Sequence, residues 1–124
     1  MKTQISSPHA PAAIGPYSAA ISTGSLIFVS GQLPINPATG EMPEGIAAQT
    51  EQSLANLKAL LEAAGSSVDK VVKTTVFLAD INDFAAMNEV YGKVFTAPFP
   101  TRSAFAVAAL PKGAKVEIEC IALA

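Results

Sequence analysis

Three segments of this chain, Leu26 to Leu33, Val71 to Leu78 and Ser103 to Leu110, are apolar at both odd and even positions. Side chains alternate between faces along a strand, so a sheet built from such segments has two faces that avoid water. Two stretches with helical spacing are available to cover them, and they most simply cover one face. The other face is then expected to meet another subunit, because a bare apolar sheet face exceeds the roughly few hundred Å² that a monomer tolerates. A cleft between subunits becomes the natural location for a site.

The helical stretches are set by their spacing. From Gly45 to Ala64 the positions Ile46, Leu54, Leu57, Leu60, Leu61 and Ala64 fall on one side, with Glu51, Gln52, Lys58 and Glu62 largely opposite, and Gly65 is a fitting C′ stop. Asp80 or Asn82 can cap a second helix to about Phe95, striped by Phe84, Met87, Tyr91, Val94 and Phe95 and ended by Pro98 and Pro100. Ahead of the first helix, Pro8, Pro11, Gly15 and Pro16 predict an extended arm leading to a strand over Tyr17 to Ser22. The loop after Leu33 has room for one more short strand. At the other end, Ser103 to Leu110 and Lys115 to Leu123 are predicted as a hairpin turned by Pro111-Lys112-Gly113, with Pro and Gly suited to a type I turn. The expected fold is α+β: one mixed sheet of about six strands with two helices on one face, a single domain over residues 1–124.

Composition narrows the function. A formal net charge of −2, with eight Lys and Arg scattered through the chain, offers no basic field for nucleic acid. No run of about 18 apolar residues predicts a membrane span, and no apolar leader opens the chain, so a cytoplasmic location is expected. One cysteine and one histidine make a disulfide or a zinc site improbable, and no phosphate-binding glycine loop is present; no cofactor is expected.

The chemistry-bearing candidates each have a bland and a functional reading. Arg102, after two prolines at a strand entry, is a solvated strand-end charge or a rigid guanidinium that grips a carboxylate through two parallel hydrogen bonds. Glu117 and Glu119 have the parity opposite to Val116, Ile118 and Cys120 and so face away from the helices. They serve solubility or, at an interface, one serves as general acid/base; burial would raise its pKa and a nearby Arg would lower it. Ser30-Gly31 inside an apolar strand marks a bulge or the approach of backbone to a ligand. Tyr17 after Gly15-Pro16 reads as edge packing with its hydroxyl in water, and Asn88 as a polar-face residue of the second helix. His9 and Cys120 are read as structural.

Together, Ala12-Ala13-Ile14-Gly15-Pro16-Tyr17, Phe28-Val29-Ser30-Gly31-Gln32-Leu33-Pro34, Val72-Lys73-Thr74-Thr75-Val76-Phe77-Leu78, Phe84 to Asn88, Pro100-Thr101-Arg102-Ser103, Leu110-Pro111-Lys112 and Val116-Glu117-Ile118-Glu119 resemble the RidA (YjgF-like) family from about Pro8 to Ala122. The resemblance implies a chorismate-mutase-like fold of the bacillus type, assembled as a homotrimer with sites between neighbouring subunits. It implies hydrolysis of 2-iminopropanoate and 2-iminobutanoate, released as enamines by PLP-dependent dehydratases, to 2-keto acids and ammonia without metal or cofactor. Arg102 would hold the carboxylate and Glu117 the water, while Tyr17, Ser30, Gly31 and Asn88 match cleft positions.

Two departures from the family pattern bear on the site. Ala104 stands where many members carry Cys; its backbone N–H is retained for carboxylate binding, but thiol chemistry is lost. Phe95 to Pro100 is shorter than in close relatives, which leaves substrate preference open. The competing expectations are a non-catalytic binder that senses 2-keto acids through the same arginine, and an endoribonuclease or translation inhibitor, disfavoured by the acidic pI near 5.2.

Overall fold

The computed structural model describes residues 1–124. Its strands are β1 (Thr3–Ile5), β2 (Ala20–Ser22), β3 (Leu26–Gln32), β4 (Val71–Leu78), β5 (Thr101–Ala106) and β6 (Val116–Leu123). Helix α1 (Ile46–Ala63) joins β3 to β4, and α2 (Phe84–Val94) joins β4 to β5. The strands form one mixed sheet in the order β1-β2-β3-β6-β4-β5, in which β4 and β5 are parallel and every other neighbour is antiparallel.

Helix α1 stops where its sequence indicates. Gly65 takes φ 80°, and the Ser66 and Gly65 amides donate to the Leu61 and Glu62 carbonyls at 2.8 and 3.0 Å, a glycine-capped end that satisfies two orphan acceptors. Its core side brings Leu54, Leu57, Leu60 and Leu61, each 2% exposed or less, against Ile27, Val76, Ile118 and Ala122 of the sheet and Met87 of α2. Each such leucine contributes roughly 1.5–3 kcal/mol by leaving water. Of the polar residues buried alongside, the Ser53 hydroxyl has no partner, whereas Asn56 is fully engaged. Asn56 Nδ2 donates to the carbonyls of Leu33 and Ile35 at 3.1 and 3.0 Å, and its Oδ1 accepts from Gln52 at 2.9 Å.

The expected hairpin at the C-terminal end is not formed. β5 lies parallel to β4 on its outer side, and β6 lies on the inner side of β4, between β4 and β3. The cause is the crossover through α2, which returns the chain parallel to β4 and uses up one of its two edges. Residues 107–115 then carry the chain around the end of β4, where Val107 N–H donates to Leu78 O at 2.9 Å and Ala79 N–H to Lys115 O at 3.0 Å. Within that connection Lys112 and Gly113 both sit in the left-handed region, at φ 59° and 70°, and Ala114 N–H donates to Pro111 O at 3.1 Å, so the expected type I turn is replaced by one of mirror-image backbone geometry a residue further on. The sixth strand is not in the loop after Leu33 either; it is β1, ahead of the N-terminal prolines, and β2 begins three residues later than expected, at Ala20.

Both helices lie on one face of the sheet. The opposite face presents Phe28 (42% exposed), Phe105 (44%) and Leu123 (49%), with Phe77 edge-on to Phe105 at 5.6 Å between ring centroids. Glu117 and Glu119 share this open face, as the register with Phe77 and Thr75 requires.

Candidate active site

Glu117 owes its setting to a bulge in β3. Val29 pairs with Cys120 and Gln32 with Ile118, so Ser30 and Gly31 together oppose Glu119 alone. The extra residue turns the strand so that Gly31 backs directly onto the Glu117 carboxyl: a Cβ at 31 would overlap its Oε2 and lie 2.9 Å from its Cδ. Bulge and close approach, open alternatives in the sequence, are the same feature here, although what approaches Gly31 is a side chain of this chain. Ser30 fastens the bulge, its N–H to Ala19 O at 2.9 Å and its hydroxyl to Ser18 O at 2.7 Å.

The cleft above this bulge has a volume of about 610 Å³ and collects Tyr17, Ser30, Gly31 and Glu117, with Ile14 and Ile35 among its apolar walls. Burial pushes the Glu117 carboxyl above the ordinary carboxylate range, and the Glu119 carboxylate nearby adds to the shift. Within one chain, then, desolvation prevails, and no arginine opposes it. Lys112, in its left-handed turn, also lines this cleft and was not singled out by sequence; a cation beside Pro111 in an inter-strand loop carries no signal of its own.

Arg102 lies elsewhere. It pairs in register with Thr74, whose side chain is on the helix-covered face, so Arg102 leaves edge strand β5 toward α2. There its Nη1 donates to Asn88 Oδ1 at 2.7 Å, and the guanidinium stands 4.7 Å from the Tyr91 ring centroid and 5.4 Å from that of Phe84. A second cleft of about 440 Å³ is formed by Arg102, Asn88, Tyr91, Gly92, Phe99 and Pro100. Sequence assigned Phe84 and Tyr91 to the apolar stripe of α2 alone. Their spacing from Asn88, four residues before and three after, was the available sign that all three share a side of the helix.

The expected site residues thus divide into two groups on opposite faces of the sheet: Tyr17, Ser30, Gly31 and Glu117 on one, Asn88 and Arg102 on the other. Ala104 lines neither cleft. It is half-buried on β5 beside Val76, packed against the core. Cys120 is buried with its thiol pushed up to about 12 by desolvation and the Glu119 charge, a structural sulfur as its sequence position suggested. Nowhere do three His, Cys, Asp or Glu side chains gather as metal ligands.

A mixed six-stranded sheet with two helices on one face and a cleft on each side, one holding a glutamate and the other an arginine, defines a chorismate-mutase-like α+β protein. The chain belongs to the RidA/YjgF family, known also as the endoribonuclease L-PSP family, whose model matches residues 7–124. It is 53% identical over 126 residues to the 2-iminobutanoate/2-iminopropanoate deaminase of Escherichia coli K12, covering 99% of this chain and 98% of that one. The crystal structure of the E. coli YjgF gene product superposes with a TM-score of 0.95 at 53% identity, covering 98% of each chain. That of E. coli TdcF with bound serine superposes with a TM-score of 0.95 at 49% identity, again covering 98% of each.

Proposed function

We propose that this protein hydrolyses 2-iminobutanoate and 2-iminopropanoate to the 2-keto acids and ammonia, in sites completed between copies of the chain. The observation that carries the reading is that Arg102 and Glu117 occupy opposite faces of one sheet, each in its own cleft. An anchor and an acid/base group so arranged can act on one small molecule only when the Arg102 cleft of one copy meets the Glu117 cleft of another. The open apolar face with Phe28, Phe105 and Leu123 supplies a surface for that contact, and a closed homotrimer satisfies it with three equivalent sites.

The chemistry follows from the two groups. The Arg102 fork holds the substrate carboxylate and fixes the neighbouring C=N carbon, each charge-assisted bond contributing about 1.5–3 kcal/mol. Glu117, ionised, takes a proton from a water as its oxygen adds to that carbon. With the imine nitrogen protonated, this addition gives a neutral carbinolamine. Glu117 passes its proton to the amino nitrogen; as the C–N bond breaks, the hydroxyl gives its own proton to the freed carboxylate and becomes the keto C=O, so ammonia leaves with the 2-keto acid and the proton on Glu117 goes to solvent. The raised pKa of Glu117 suits a group that both accepts and gives back a proton near neutral pH. Tyr17 and the apolar wall around Ile14 and Ile35 border the space for the substrate side chain. Ala104 contributes through its backbone at most, having no polar side chain. A cytoplasmic location and no use of nucleic acid accord with this small-molecule role.

Mixing two inactive variants tests the reading. Arg102→Ala and Glu117→Gln are each expected to lower kcat/KM by about 10² or more, with imine generated in situ by a PLP-dependent dehydratase. Unfolded together and refolded in equal amounts, they should regain about a quarter of wild-type activity, because random assortment in a ring restores one intact Arg102–Glu117 pairing in four. No recovery would overturn the shared site, and no acceleration by the wild type would overturn the deaminase.

A further inference from the structure

We propose that Tyr91, tied down by Thr74, is the positioning residue that holds Arg102 ready for a carboxylate. This rests on Arg102 being the carboxylate anchor, as proposed above. The problem it answers is physical: Arg102 is exposed on an edge strand, and a long cation in water loses much rotamer freedom when it grips a ligand unless something holds it beforehand.

Tyr91 belongs to the core and is also placed for that task. It is 5% exposed, its ring lies 4.7 Å under the guanidinium, and its hydroxyl shares a buried 2.7 Å hydrogen bond with the Thr74 hydroxyl. That bond occupies the phenol, leaving the ring face for the cation. Phe95 packs against the same ring with centroids 4.6 Å apart. Thr74 is also the register partner of Arg102 across the β4–β5 pair, so the strand that sets where Arg102 starts also fixes, through Tyr91, where its guanidinium comes to rest. Asn88 completes the arrangement by accepting from Nη1 at 2.7 Å. The arginine is held by an in-plane acceptor and an aromatic shelf, with other donors left for a carboxylate. With its hydroxyl taken by Thr74 and one side packed on Phe95, Tyr91 offers the cleft no free polar group, and so acts through the guanidinium it supports.

The test is the affinity for 2-ketobutanoate, a stable carboxylate, measured by NMR titration of wild type, Tyr91→Leu, Tyr91→Phe, Thr74→Val, Arg102→Ala and the double variant Tyr91→Leu/Arg102→Ala. Tyr91→Leu is expected to weaken binding about tenfold, and Tyr91→Phe and Thr74→Val about threefold each, since both keep a ring but free it. On an Arg102→Ala background the Tyr91→Leu effect should vanish, within roughly twofold, whereas a loss of general packing would persist there. Wild-type affinity in Tyr91→Leu, or an effect that adds in full to Arg102→Ala, overturns the proposal; should Tyr91→Leu fail to fold, wild-type affinity in both Tyr91→Phe and Thr74→Val does so. Imine hydrolysis is assayed in parallel. Tyr91-dependent affinity in a wild type without turnover removes the deaminase and upholds the positioning role; turnover with Tyr91-independent affinity does the reverse.

Discussion

The carboxyl group of Glu117 occupies the space where any residue but glycine at position 31 would carry its Cβ. Gly31 does not have a positive φ, so the requirement here is for room and not for an unusual backbone. Gly31→Ala is therefore expected to fold normally and to push the carboxyl aside, because the flexible end of a side chain gives way more easily than backbone. Imine hydrolysis should fall by about tenfold or more, with a melting temperature near that of the wild type, since general acid/base catalysis fails when its group is misplaced by about 1 Å. Wild-type activity in Gly31→Ala would mean that Glu117 does not act from this position.

The elevated pKa of Glu117 gives a pH signature of known sign. Activity that needs its ionised form should rise with pH along a limb displaced above the ordinary carboxylate range, and Glu119→Gln should move that limb to lower pH by removing a like charge. A limb at or below the ordinary range would mean that another group, such as an arginine of a second copy, cancels the burial.

Stability carries the same information. A carboxyl whose native pKa is raised stabilises the fold fully below its unfolded value of about 4.3, and this contribution is lost as pH rises through the native value. Glu117→Gln removes the titration, so this variant should melt above the wild type at pH 7, with the advantage vanishing below about pH 4. Thermal melts across that range check it; a variant less stable at pH 7 would contradict the sign.

Asn88 and Arg102 make a bond whose charge can be varied. Asn88→Ala removes the 2.7 Å acceptor and should weaken keto-acid binding by roughly two- to fivefold, a modest effect because the pair is exposed. Asn88→Asp keeps the acceptor but adds a negative charge that competes with the substrate carboxylate, so its loss of affinity should exceed that of Asn88→Ala. Titration with 2-ketobutanoate distinguishes the two.

Asn56 is wholly buried and satisfies two carbonyls of the 33–35 segment, which walls the Glu117 cleft. Asn56→Ala strands both acceptors and is expected to cost about 2–4 kcal/mol in urea unfolding. A loss under about 1 kcal/mol would show that water or a shifted backbone replaces the amide.

The elements that sequence made legible are those whose signals are local. Gly45 and Gly65 bracket α1, and the alternation of Val116 to Cys120 correctly turned both glutamates of β6 away from the helices. The pairing of β5 was not legible, because alternation says which face a side chain takes and nothing about which strand lies beside it. β1 is three residues with no apolar alternation, recognisable only by its partner β2. The candidate site shows the same division. Arg102 and Glu117 stood out by residue type and context, but parities on two separate strands share no common reference until their registers are known. Their placement on opposite faces therefore emerged only from the fold.

That placement has a genetic consequence in the proposed assembly. Each chain lends its arginine to one neighbour and its glutamate to the other, so no chain owns a whole site. A chain carrying both lesions would silence two of the sites in a ring of three while folding and docking normally. Such an allele would be dominant over the normal one, and its severity would rise with its share of the pool rather than with the number of inactive copies alone.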